Sequence, residues 1–104
     1  MTNHPIACAG TMKLLGDYWT LRIIDALNFG EQRFCDLQRH LDNVNPVTLT
    51  NRLKKLEEAR LINRSEETID KISVAYSLSD LGKEVLPVIS ALNNFSLKSK
   101  SLTI

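Results

Sequence analysis

Cysteine, histidine and glycine are scarce in this chain, and each scarcity removes a class of chemistry. Cys8 and Cys35 are the only cysteines in 104 residues, and a lone, widely separated pair builds neither a disulfide framework nor a zinc ligand set, so both are read as thiols. His4 and His40 are the only histidines. They have no partner at ligand spacing and are expected to face solvent, with no metal role. The four glycines form no phosphate-cradling loop, and no nucleophile stands beside a plausible base. Apolar runs fall well short of the roughly 20 residues needed to cross a bilayer. The start Met1-Thr2-Asn3-His4-Pro5 lacks the basic region of a secretory signal, so a cytoplasmic location with no membrane partner is expected. An excess of one charge is also missing. The net charge of +1 favours no class of partner, and only the placement of the charges can inform.

What is present is an ordinary globular balance, 43% hydrophobic and 24% charged residues, which excludes a disordered tail. The length suits one domain over 1–104, ordered from about 6 to 95, and is too short for a catalytic domain with a cofactor lobe. Neither an enzyme nor a cofactor is expected.

Hydrophobic spacing divides the chain into elements. Cys8 to Leu15 is read as a short helix stopped by Gly16. From Tyr18 to Leu27, the residues Trp19, Ile23, Ala26 and Leu27 share one helical face, and Gly30 closes the element. Phe34, Leu37 and Leu41 predict a third helix of about three turns from near Arg33, with Cys35 read as a small buried thiol on it. Trp19 and Phe34 are read as core packing. The clearest boundary follows. Asn45 can cap the free N–H groups of a new helix, and Pro46 suits its first position. That helix turns Leu49, Leu53 and Leu56 to one side and Val47, Thr48, Asn51, Lys54, Lys55 and Glu58 to the other.

After Arg60 the period drops to two. Ile72, Val74, Tyr76 and Leu78 alternate with small residues as a half-buried strand, and Leu61 to Arg64 is its expected partner in a β-hairpin. Ser79 can cap a final helix from Asp80, which Pro87 would kink or interrupt and which frays beyond Phe95.

Three helices, a hairpin and a closing helix are the order of a winged helix-turn-helix. The fold class is therefore α+β, mainly α, with a two-stranded wing and flanking dimerisation helices. In that arrangement the helix opened by Asn45 and Pro46 enters the major groove of double-stranded DNA. Thr48 and Asn51 suit base edges, while Arg52, Lys54, Lys55 and Arg64 suit phosphates. Between Arg52 and Arg64 five basic residues stand against two acidic ones, in a chain otherwise almost balanced. The same cations could equally be a solvated helix face, and a winged helix can serve as a protein-interaction module without DNA. Met12, Leu14, Leu15, Val85, Leu86, Val88, Ile89, Leu92 and Phe95 exceed what one small core absorbs, which predicts a homodimer through the first and last helices.

Four segments in order also carry a family pattern: Leu15-Gly16-Asp17-Tyr18-Trp19-Thr20-Leu21, Arg33-Phe34-Cys35-Asp36-Leu37, Leu49-Thr50-Asn51-Arg52-Leu53-Lys54-Lys55-Leu56-Glu57 and Tyr76-Ser77-Leu78-Ser79-Asp80-Leu81-Gly82. From about Cys8 to about Leu92 the chain resembles the HxlR-type winged-helix regulators. The resemblance implies a homodimeric, DNA-binding repressor or activator, and in several such proteins an N-terminal thiol senses oxidants or electrophiles. It makes Cys8 the candidate redox sensor, although Ala9 stands where that family commonly has proline. The hairpin tip departs too: Glu66, Glu67 and Asp70 accompany only Lys71, which suits a minor-groove arm poorly and makes Arg64 the wing's contact.

Overall fold

The computed structural model describes residues 6–68 and 72–99, with the side chains of 9–66 and 73–99. Helix α1 spans Ile6–Leu15 and closes where the Gly16 N–H donates to the Met12 carbonyl at 2.8 Å. Asp17, in extended backbone, caps α2 (Tyr18–Leu27). The buried face of α2 is Thr20, Ile23, Ile24 and Leu27. That stripe is rotated slightly from the expected one, leaving Trp19 and Ala26 packed at the core's edge.

A short strand β1 (Gln32–Arg33) precedes α3 (Phe34–His40). Helix α3 has seven residues, about two turns instead of three. Asp42 and Asn43 stop it, both in the left-handed region at φ 58° and 59°, and the Asn43 N–H reaches back to the Gln38 carbonyl at 2.8 Å. Leu37 and Leu41 are buried as expected, but Cys35 is exposed. It lies one residue further round the helix than Phe34 and off the inward stripe.

Helix α4 (Pro46–Glu58) ends in a paired return: the Leu61 N–H donates to the Leu56 carbonyl and the Arg60 N–H to the Glu57 carbonyl, each at 3.0 Å. Arg60 takes the left-handed position usually given to glycine, at φ 63°.

The wing pairs β2 (Ile62–Thr68) with β3 (Ile72–Leu78), in register from Ile62 opposite Leu78 to Thr68 opposite Ile72. The expected two-stranded sheet has a third member, since β1 joins the other edge of β3 with Gln32 opposite Tyr76, in the order β1-β3-β2. Two residues are too few to show a period, so nothing in the sequence marked this strand. Buried Gln32 fastens it by donating from Nε2 to the Ala26 carbonyl at 2.6 Å.

The final helix is divided. Ser79 caps α5 (Asp80–Lys83), and α6 (Leu86–Lys98) starts afresh with Pro87 in its first turn, where a missing N–H costs nothing. It runs past Phe95 to Lys98, where fraying was expected. Ile23, Ile24, Leu37, Leu49, Leu53 and Leu56 form the centre of the core, with α4 held by its inner face against α2 and β2.

Candidate nucleic-acid interface

The sequence Asn45-Pro46 builds the start of the site. The Asn45 side-chain oxygen accepts the Val47 N–H at 2.8 Å, and Pro46 begins the helix, so the first turn of α4 is anchored while still exposed. Leu49, Leu53 and Leu56 sink into the core. Helical geometry then obliges Val47, Asn51, Lys54, Lys55 and Glu58 to face solvent, and all five do. Thr48 is half-buried at the edge of that face. The exposed side of α4 is thus a polar ridge with an amide near its start and two lysines further along.

The cations of this region divide. Among the described residues Lys54 and Lys55 enter none of the ion pairs, and Arg60 is exposed just beyond the helix. Arg64, on β2, pairs with Glu66 on the same strand at 2.8 Å, which leaves it at the surface but partly neutralised. Arg52, expected among the phosphate contacts, is tied to the body of the domain. Its Nε donates to Asp17 Oδ2 at 2.8 Å and its Nη2 to Oδ1 at 3.1 Å, joining α4 to the cap of α2.

Asp17 is the residue the sequence reading passed over. Its carboxylate also accepts the N–H and hydroxyl of Thr20, each at 2.9 Å. The Arg52 hydrogen bonds, reinforced by those of Thr20, lower its pKa to about 2 against the opposing effect of burial. An Asp directly before an apolar-periodic segment is a legible cap signal. Its partner 35 residues away is not.

A second feature lies away from α4. On α6, Val88, Leu92 and Phe95 form an exposed stripe, and no residue of that helix is fully buried. Met12 of α1 is 60% exposed beside it, and a groove of about 520 Å³ runs between α6, α1 and the start of α2, lined by Met12, Leu15, Tyr18, Leu21, Val88 and Leu92. Part of the apolar set read from the sequence belongs instead to the core: Val85 is buried, and Leu14, Leu15, Leu86 and Ile89 pack against it. Cys8 falls in α1 and Glu67 in β2, but the side chains of both lie outside the described residues, and Asp70 and Lys71 lie outside them altogether. Among the described residues no cluster of side chains could hold a metal ion, and no helix is long and apolar enough to cross a membrane.

Known proteins share this architecture. A family model described as HxlR-like helix-turn-helix matches residues 14–102. The uncharacterized HTH-type transcriptional regulator YdzF of Bacillus subtilis is 34% identical over 83 residues, covering 79% of this chain and 76% of that protein. A solved structure described as a MarR-family transcriptional regulator from Porphyromonas gingivalis superimposes with a TM-score of 0.84 at 27% identity, covering 95% of this chain and 97% of the other. The reduced form of the transcriptional regulator YodB from B. subtilis shares the fold with a TM-score of 0.81 at 23% identity, covering 90% of this chain and 92% of YodB.

Proposed function

From the premise that this chain belongs to the HxlR-like helix-turn-helix family, and is a transcriptional regulator of winged-helix type and not an enzyme, we propose that it acts by binding double-stranded DNA as a homodimer, with α4 in the major groove. The observation that carries this reading is the exposed face of α4. A helix anchored by its cap and by three buried leucines presents outward Asn51 and two lysines that enter no ion pair among the described residues, and a groove that admits one α-helix reads bases through an amide while phosphates take the cations. In this reading Asn45 and Pro46 set the entry of the helix, Thr48 and Asn51 approach base edges, Lys54 and Lys55 meet phosphates, and Arg64 contacts the backbone from the wing.

The dimer rests on the stripe of α6 and the adjoining face of α1. Two-fold symmetry through that face sets two copies of α4 on half-sites about 34 Å, or a multiple of it, apart. Because Cys8 lies on α1, an adduct on its sulfur would alter how the protomers meet and so the spacing of the two reading helices. Thiol oxidant should therefore weaken DNA binding in the native protein and leave Cys8→Ser unaffected.

Electrophoretic mobility shift on random genomic duplexes tests the central claim. Affinity should fall steeply as salt rises. Lys55→Glu should weaken binding to all sequences alike, and Asn51→Ala should cost about 1–3 kcal/mol chiefly on the preferred site. Unchanged affinity in both variants would refute the assignment of α4, and a protein that shifts no DNA at any salt would instead be a protein-interaction module.

A further inference from the structure

Arg52 occupies the face of α4 turned toward α1 and α2, one turn after half-buried Thr48 and one turn before Lys55. Asp17 sits in the joint between α1 and α2, where a cleft of about 350 Å³ is lined by Lys13, Leu14, Thr20 and Lys55 in addition to the pair itself. Every contact of the Asp17 carboxylate is directional. Thr20 fixes it to the first turn of α2, and the planar guanidinium fork of Arg52 meets both its oxygens. The two side chains are only 28% and 30% exposed, so this is not a pair of solvated arms that met by chance. The leucines hold α4 along one line. A bidentate tie off that line opposes rotation of the helix about its own axis, the motion that would move Asn51 relative to a base edge.

The tie has a second effect, on charge. Lys13 and Lys55 flank the cleft with no ion-pair partner among the described residues, whereas Arg52, the cation between α4 and the cleft wall, is neutralised. We infer that Asp17 is a specificity-determining positioning residue for the DNA reading: it withholds Arg52 from phosphates and fixes the roll of α4, exchanging non-specific affinity for discrimination between sequences. This rests on the DNA-binding reading above and adds to it a residue outside the helix-turn-helix.

Three variants of the full chain test it, on a duplex enriched by the native protein from a random-sequence library and on a scrambled duplex of the same composition. Asp17→Ser keeps an oxygen to cap Thr20 but removes the charge. Freed Arg52 then reaches a phosphate, and the log–log salt slope on the scrambled duplex steepens by about 1, an additional loss of about 3.5-fold between 50 and 200 mM salt. Preference for the enriched duplex falls about fivefold or more as α4 loses its fixed roll. In Asp17→Ser/Arg52→Gln the slope returns to the native value while the preference stays low. Arg52→Gln alone keeps the native slope and also loses preference, which supports the inference even should Asp17→Ser fail to fold. A slope flattened by about 1 in Arg52→Gln would make Arg52 a phosphate contact in the native protein and overturn the inference. Native preference in the variants, or steepening that survives removal of Arg52, would overturn it as well. Native protein that binds neither duplex would instead bring down the DNA-binding reading, and this inference with it.

Discussion

Replacing Gly82 by alanine adds one methyl group and should cost most of what holds the wing to α5. A Cβ at this position would lie 2.0 Å from the Leu61 carbonyl oxygen and 3.1 Å from Leu78 Cδ2. The obstacle is backbone, so no rotamer change relieves it, and the chains must part by 1.4 Å to reach the 3.4 Å of ordinary contact. Parting them strains the two hydrogen bonds that cross the joint: Ser79 N–H to the Leu61 carbonyl at 3.1 Å and the Ser79 hydroxyl to the Arg60 carbonyl at 2.7 Å. Each is worth about 1 kcal/mol, overpacking adds about 1–3 kcal/mol, and the helix preference of alanine returns about 1 kcal/mol. The net is on the order of 3 kcal/mol, which for a domain of this size lowers Tm by about 12–24 °C. Thermal unfolding followed by circular dichroism, at equal protein concentration because an oligomer's Tm depends on it, measures the loss. Gly10→Ala is the control, since nothing lies within 4 Å of its Cβ, and the same methyl group in α1 should stabilise by up to about 1 kcal/mol. A Gly82→Ala protein melting within about 4 °C of the native one would refute the reasoning.

Arg60→Gly relieves a left-handed residue at φ 63° and should raise stability by about 1 kcal/mol, seen as a higher urea midpoint at unchanged slope. The Asp17 carboxylate, held at about 2 by Arg52 against 3.8 in the unfolded chain, contributes stability that is full above pH 3.8 and drains away as pH falls toward 2. After solvent screening this is on the order of 1–2 kcal/mol, so urea unfolding of Asp17→Asn should lack that part of the native protein's acid sensitivity, and parallel pH profiles would contradict it. Leu92→Glu, which charges the middle of the exposed α6 stripe, should convert a sedimenting dimer to monomer at micromolar concentration and make Tm independent of protein concentration. Dimers that survive it would place the interface elsewhere.

Local chemistry accounts for how much was legible in advance. The cap at Asn45, the proline after it and the leucines of α4 lie within a turn or two of one another, so their spacing alone specifies a helix with a buried and an exposed side, and the outward residues follow from its period. The alternation from Ile72 to Leu78 is equally local, as is the interruption of the last helix before Pro87. Two expectations failed for different reasons: α3 ends early because Asp42 and Asn43 adopt left-handed backbone, and Cys35 is exposed because the inward stripe of its own helix is set by Phe34, Leu37 and Leu41 and leaves it outside.

Pairing across the fold belongs to the tertiary structure alone. Strand β1 exists only because β3 has a free edge beside it, and Gln32 is buried only because α2 brings the Ala26 carbonyl within reach. Arg52 looked like one more cation of a basic helix. Its periodic position says that it borders the buried face, but not that a carboxylate 35 residues earlier waits there. Propensity and period are properties of neighbouring residues and survive in the bare sequence. Which cation is spent on an ion pair and which is left for a phosphate depends on distances that exist only once the helices have packed.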